Sequence, residues 1–273
     1  MSRVLEDLSA PALTAAIEEN GYALFDAFAA LPGAAFDVSP ALTRFRTPHL
    51  SPMFNGVIRT RLPPPSVDDA IAATIDAFRV AGTRFFFWWT GPATAPNDLG
   101  ERLVAHGFLP FDVDASGMAI DLHAVKEDLP VATDLEIVTV RDPVTLATWA
   151  ETFCEAYEVP AFAGASWVEA TSALGIEQAP WRLYVGRLDG EPVATSMLMP
   201  FGGVAGMSGI AVKSAARLRG VGAAMTLAPL RDGRALGYRV GVLWATEMGL
   251  PLYERLGFQS YCTISRYLWR APD

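Results

Sequence analysis

The stretch of this chain with most chemical content is Ser208–Ala224, SGIAVKSAARLRGVGAA. An apolar run leads into a basic, glycine-containing loop, and a helical pattern follows. Arg217-x-x-Gly220-x-Gly222 stands at the junction. Glycine has no Cβ, so backbone N–H groups beside it can approach an anion closely. The free amides and the dipole of a first helical turn favour negative charge at the same place. Arg217 and Arg219 can add charge-assisted hydrogen bonds. Together these features describe a cradle for a diphosphate. The same pattern also fits a glycine turn capping a buried helix, and the loop alone leaves both readings open. A nucleoside-triphosphate loop is disfavoured because no Gly-Lys-Ser/Thr follows. A dinucleotide fold is disfavoured because the unit comes late, after antiparallel strand signals, and not in an opening βαβ unit.

Charge narrows the ligand. The 273 residues carry 21 basic and 30 acidic side chains, net −9. A general nucleic-acid binder needs a basic face, so nucleic acid is not an expected partner. Residues 201–240 run the other way, with Lys213, Arg217, Arg219, Arg231, Arg234 and Arg239 against Asp232 alone. A local basic cluster in an acidic protein suits one small anionic ligand; solvated helix-face arginines give the same count. Hydrophobic residues at 51% and charged residues at 19% allow a sizeable core. Two cysteines, Cys154 and Cys262, exclude a disulfide framework. Three histidines without ligand spacing give no metal site. The start, with Glu6 and Asp7, is unlike a signal peptide, and no apolar run reaches the ~18 residues of a membrane span. The expectation is a cytoplasmic protein without membrane contact.

Elements must hold the loop in place. Periodicity predicts helices over 11–20, 66–80, 97–105, 143–158, 166–175, 222–236 and 251–256. It predicts strands over 55–62, 84–90, 117–122, 135–140, 181–188, 192–200, 204–212, 239–245 and 258–269. Asn20-Gly21 is read as a helix stop, and 30–53 as irregular. Asp142-Pro143 is a helix start. The segment 124–133 reads as a linker between domains 1–125 and 131–273.

The two parts echo each other. Gly82 and Arg84 recur as Gly237 and Arg239, Trp88 and Thr90 as Trp244 and Thr246, and Gly107-Phe108 as Gly257-Phe258. The order of these features points to two copies of one unit. At the matching place the first copy has Leu62-Pro-Pro-Pro-Ser-Val67, with neither glycine nor arginine.

Here a resemblance becomes specific. The RxxGxG loop after a strand, then a strand, then Pro251-Leu-Tyr-Glu-Arg-Leu-Gly-Phe258, resembles the GNAT superfamily of acyl-CoA-dependent N-acyltransferases. It covers 134–273. The first part resembles a degenerate copy, in the tandem layout seen in mycothiol synthase. The resemblance implies an α/β (α+β) tandem GNAT fold of two mixed, mostly antiparallel sheets with flanking helices. The first copy would be structural or build part of an acceptor pocket.

The resemblance also implies roles. Acetyl-CoA, the cosubstrate, would lie between the splayed strands 204–212 and 239–245. Backbone groups at Ile210, Ala211 and Val212 would hold its pantetheine arm, and Arg217, Leu218, Arg219, Gly220, Val221, Gly222 and Ala223 its diphosphate. Tyr253 falls on the family's usual general acid. Thr246 stands where many relatives have a CoA-contacting asparagine. Many relatives carry a glutamate base on the central strand, but Gly206-Met-Ser-Gly209 offers none. Glu247 and Glu155 are the candidates, and a water chain is the alternative. The implied activity is acetyl transfer to an amine of a small molecule or peptide, with a homodimer allowed. The rival is a non-catalytic CoA-binding sensor.

Overall fold

The computed structural model describes residues 3–272. Its strands follow the hydrogen-bonded order β1-β2-β3-β4-β11-β5-β10-β9-β8-β7-β6. One eleven-stranded mixed sheet thus stands where two were expected. Two long strands explain this: β5 (Leu109–Asp121) and β11 (Gln259–Arg270) each pass from one compact unit into the other. The units are Met1–Leu24 with Ser116–Tyr261, and Phe25–Ala115 with Cys262–Asp273.

The first of these units holds the glycine loop. β6 (Leu135–Thr139), β7 (Arg182–Leu188), β8 (Glu191–Met199) and β9 (Ala205–Val212) form an antiparallel meander. β10 (Val240–Ala245) then pairs parallel with β9, and β5 antiparallel with β10. α4 (Pro143–Tyr157) opens with the expected Asp142 cap, whose carboxylate accepts from the Val144 and Thr145 amides. α5 (Ala161–Leu174) follows it. α6 (Val221–Ala235) covers the opposite face of the meander, where Ala205, Met207 and Leu198 enter a core with Met225, Leu227 and Leu230. Gly206 and Gly209 turn to the other face. There Gly206 meets Asn20, and Gly209 lies 3.6 Å from Trp149 of α4, measured from where its Cβ would stand.

Asn20 belongs to α1 (Ala10–Ala27), which does not stop at Asn20-Gly21 as expected. The reason is tertiary. The Asn20 amide donates to Met199 O and Phe201 O, both at 3.0 Å, and the missing Cβ of Gly21 leaves room for the Trp244 ring. Two residues that are usually helix breakers instead fit the helix to the sheet.

The second unit repeats the plan at smaller scale. β1 (Ala35–Val38) and β2 (Thr43–Arg46) lie in the stretch read as irregular. β3 (Gly56–Ile58) pairs parallel with β4 (Phe85–Thr90), and β11 pairs antiparallel with β4. α2 (Val67–Val80) and α3 (Leu99–Ala105) flank it. Phe78, Phe86, Trp88, Leu103, Phe108 and Trp269 centre its core. The glycines seen as echoes do the same work in both copies: Gly82 and Gly237, then Gly107 and Gly257, all sit at positive φ after a helix.

Candidate active site at the parting of two strands

β9 and β10 pair at only three positions, the last being Leu243 with Met207. Beyond it β9 continues to Val212 and β10 to Ala245 without pairing across. This opens a gap between parallel strands, where main-chain groups can meet a ligand. The strand bordering the gap is bulged. Met197 faces Ser208 while Thr195 faces Ala211, so β9 holds one residue more than β8. Gly209 takes φ 60° there, and the Thr195 hydroxyl donates to its carbonyl at 2.8 Å.

The loop closes one end. The 3-10 turn Ser214–Ala216 leads to Arg217, to Leu218 at φ 61°, and to Gly220 at φ 80° as N-cap of α6. Gly220 is required twice over: its backbone is left-handed, and a Cβ would stand 2.8 Å from Ala132 N and 2.9 Å from Pro130 O. A Cβ at Gly222 would meet only ordinary contacts, 3.4 Å to Leu252 and 3.8 Å to Val212. Ala224 N is the first amide to bond back, to Gly220 O at 3.2 Å. The amides of Leu218–Ala223 before it have no acceptor among the described residues. Those donors are gathered at a helix N-terminus, where negative charge is favoured.

The basic cluster divides. Lys213 Nζ is 2.6 Å from Glu155, Arg231 and Arg234 share Glu127 at 2.9 and 2.8 Å, and Arg239 lies near Glu6 and Asp121. Arg217 donates to Val212 O at 3.0 Å and Ala156 O at 3.4 Å. Arg219 keeps the loosest tie, 3.9 Å to Asp134, with a half-exposed side chain. Most of the positive charge therefore holds the protein together.

Tyr253 projects from α7 (Leu250–Leu256) on the α6 face of the sheet, against Phe258. Burial, and then the nearby Tyr157 hydroxyl, hold its pKa far above the usual tyrosine range. Tyr157 reaches the same region from the last turn of α4, on the opposite face. Its hydroxyl donates to Ile210 O at 3.3 Å. Tyr157 is not singled out by the sequence. Its signal was the stripe Trp149, Phe153, Tyr157 at i, i+4 and i+8, which packs on the bulge but reads as ordinary helix core. Of the carboxylates, Glu155 is tied to Lys213 and Glu247 is exposed in the turn after β10. Thr246 is exposed too, and its carbonyl accepts from the Gly249 and Leu250 amides. Among the described residues Cys154 and Cys262 form no disulfide, and burial raises the Cys154 pKa.

The second unit has a strand parting as well. Arg59, two residues beyond the last parallel pair, has φ 55°, as Gly209 has 60° in the first. The chain itself then fills the space. Ala95 N donates to Thr60 O at 3.0 Å, Leu62 N donates to Ala95 O at 2.9 Å, and Arg61 and Ala95 form a parallel bridge. The Trp88 indole adds a bond to Thr60 Oγ1 at 2.9 Å.

Comparison with known proteins agrees with this geometry. Residues 146–258 match the acetyltransferase (GNAT) family. No protein of curated function matches the sequence at a significant level. Among solved structures, a GCN5-related N-acetyltransferase from Kribbella flavida is 17% identical with TM-score 0.70, over 98% of both chains. One from Sphaerobacter thermophilus is 17% identical with TM-score 0.61, over 99% of this chain and 95% of that one. A tandem GNAT protein from the clavulanic acid biosynthesis pathway is 14% identical with TM-score 0.59, over 99% and 98%. At these identities the likeness establishes the fold, which is that of a tandem GNAT protein. The family's chemistry is acetyl transfer. Among the described residues no helix is long and apolar enough to cross a membrane.

Proposed function

We propose that this protein transfers the acetyl group of acetyl-CoA to an amine of a small molecule or a peptide end. The observation that carries the reading is the unpaired gap between β9 and β10, closed at one end by the free amides of Leu218–Ala223. Six main-chain donors and a helix dipole suit a diphosphate. The bulged strand at Ile210–Val212 suits an arm with amide groups of its own.

In this reading the cradle amides and Arg219 hold the diphosphate. Backbone groups of the bulge orient the thioester. Tyr253 protonates the departing thiolate, for which its buried, firmly protonated hydroxyl is fitted. Ser208, with its neighbours in Gly206-Met-Ser-Gly209, supplies no carboxylate on β9. With Glu155 paired to Lys213, the amine proton leaves through water or Glu247. The second unit acts as a structural copy, since Ala95 takes the place a ligand would need.

Thiol release from acetyl-CoA, measured against a panel of primary amines, tests the reading. Acetyl-CoA-dependent release that rises with at least one amine supports it. Binding without turnover on any amine favours the sensor, whose one supporting feature is the missing carboxylate on β9.

A further inference from the structure

Arg217 heads the loop motif, where its charge suggests a phosphate contact, yet its side chain points to other work. We infer that Arg217 is a positioning residue that ties the diphosphate cradle to the end of α4, so that the two move together. The inference rests on the proposal that this loop binds CoA.

The tie is specific. Arg217 Nε donates to Val212 O at the end of β9, and Arg217 Nη2 donates to Ala156 O in the last turn of α4. That turn has carbonyls without helical partners and the negative end of a dipole, so a planar cation bridging to it is well placed. Glu158 follows at φ 56° and ends the helix. Two further links flank the bridge: Glu155 to Lys213 at 2.6 Å and the Tyr157 hydroxyl to Ile210 O at 3.3 Å. Three consecutive residues of α4 are therefore each fastened to the tail of β9 or to the loop after it. A ligand that orders the loop also orders Tyr157 and the bulge carbonyl it holds. The phosphate charge is left to Arg219, which is half exposed.

The test compares wild type with Arg217→Lys, Arg217→Ala and Arg219→Ala, using CoA itself as titrant and hydrogen exchange of residues 155–158 as second readout. A lysine keeps the charge but cannot span two carbonyls with a rigid fork. The inference expects Arg217→Lys and Arg217→Ala to lose CoA affinity alike, by tenfold or more. It also expects faster exchange at 155–158 in both variants before any CoA is added. In wild type, CoA slows exchange at 155–158 together with 218–223. Wild-type affinity in Arg217→Lys with a loss only in Arg217→Ala would show a simple phosphate contact and overturn the inference. So would exchange at 155–158 that no Arg217 substitution alters. Should wild type bind no CoA, the proposed function falls, while the ligand-free exchange arm still decides whether the tether exists.

Discussion

Tyr253 has an environment that keeps its hydroxyl protonated. Its ring is wedged between Phe258 and Gly249, where a Cβ on residue 249 would stand 2.7 Å from the ring. Burial and the neighbouring Tyr157 raise its pKa, so the hydroxyl stays protonated through neutral pH and beyond pH 10. Tyr253→Phe removes one atom from a packed site. Turnover should fall by ~10²-fold or more, while acetyl-CoA affinity, read by calorimetry, stays within a factor of about two; equal turnover would remove the general-acid role. The pH–rate profile of wild type should show no alkaline fall from this group below about pH 10. The sequence could show this much of the site because Tyr253 stands in a contiguous motif. Tyr157 could not be singled out in the same way, since its meaning comes from a carbonyl on β9, some fifty residues further on. Glu155 and Arg217 were visible as charges, but which charges the protein uses on itself is decided by tertiary pairing.

At the scale of elements, the two glycines of the loop should behave differently. Gly220→Ala puts a Cβ on a left-handed residue packed against Pro130–Ala132, and should cost about 1–2 kcal/mol. Gly222→Ala meets only van der Waals contacts and should leave the melting temperature unchanged. Thermal melts of the pair decide the point, and equal loss in both would contradict the packing argument. The meander, α4 with its cap, and the α6–β10–α7 succession were legible because periodicity and capping chemistry are local. The run of α1 through Asn20-Gly21 was not, because those residues answer to Met199, Phe201 and Trp244. Nor was the short strand pair in 30–53, where Pro, Gly, Ser and Thr dilute the alternation.

For the whole molecule, each compact unit takes an element from the far end of the chain: the first helix packs in the unit that holds the loop, and the last strand in the other. Repeats in the sequence could reveal two copies but not this exchange, which depends on partners distant in sequence. Asn20→Ala should therefore destabilise the loop-bearing unit, by about 2 kcal/mol, because the buried Asn20 amide makes two hydrogen bonds, to Met199 O and Phe201 O, that alanine cannot make. A fall in Tm of roughly 5 °C is the expected reading, and an unchanged Tm would contradict it. Stability should also decline as pH rises above about 10. Tyr253, through burial, and Tyr184, through burial and its bond to Asp232, have raised pKa values; the folded state holds their protons more tightly than the unfolded chain. The central claim is that one strand parting binds a CoA thioester and the other is filled by the chain. Isothermal titration of the intact protein with acetyl-CoA measures this directly. The account predicts a single site per chain. No heat at millimolar acetyl-CoA, or two equivalents bound, would contradict it.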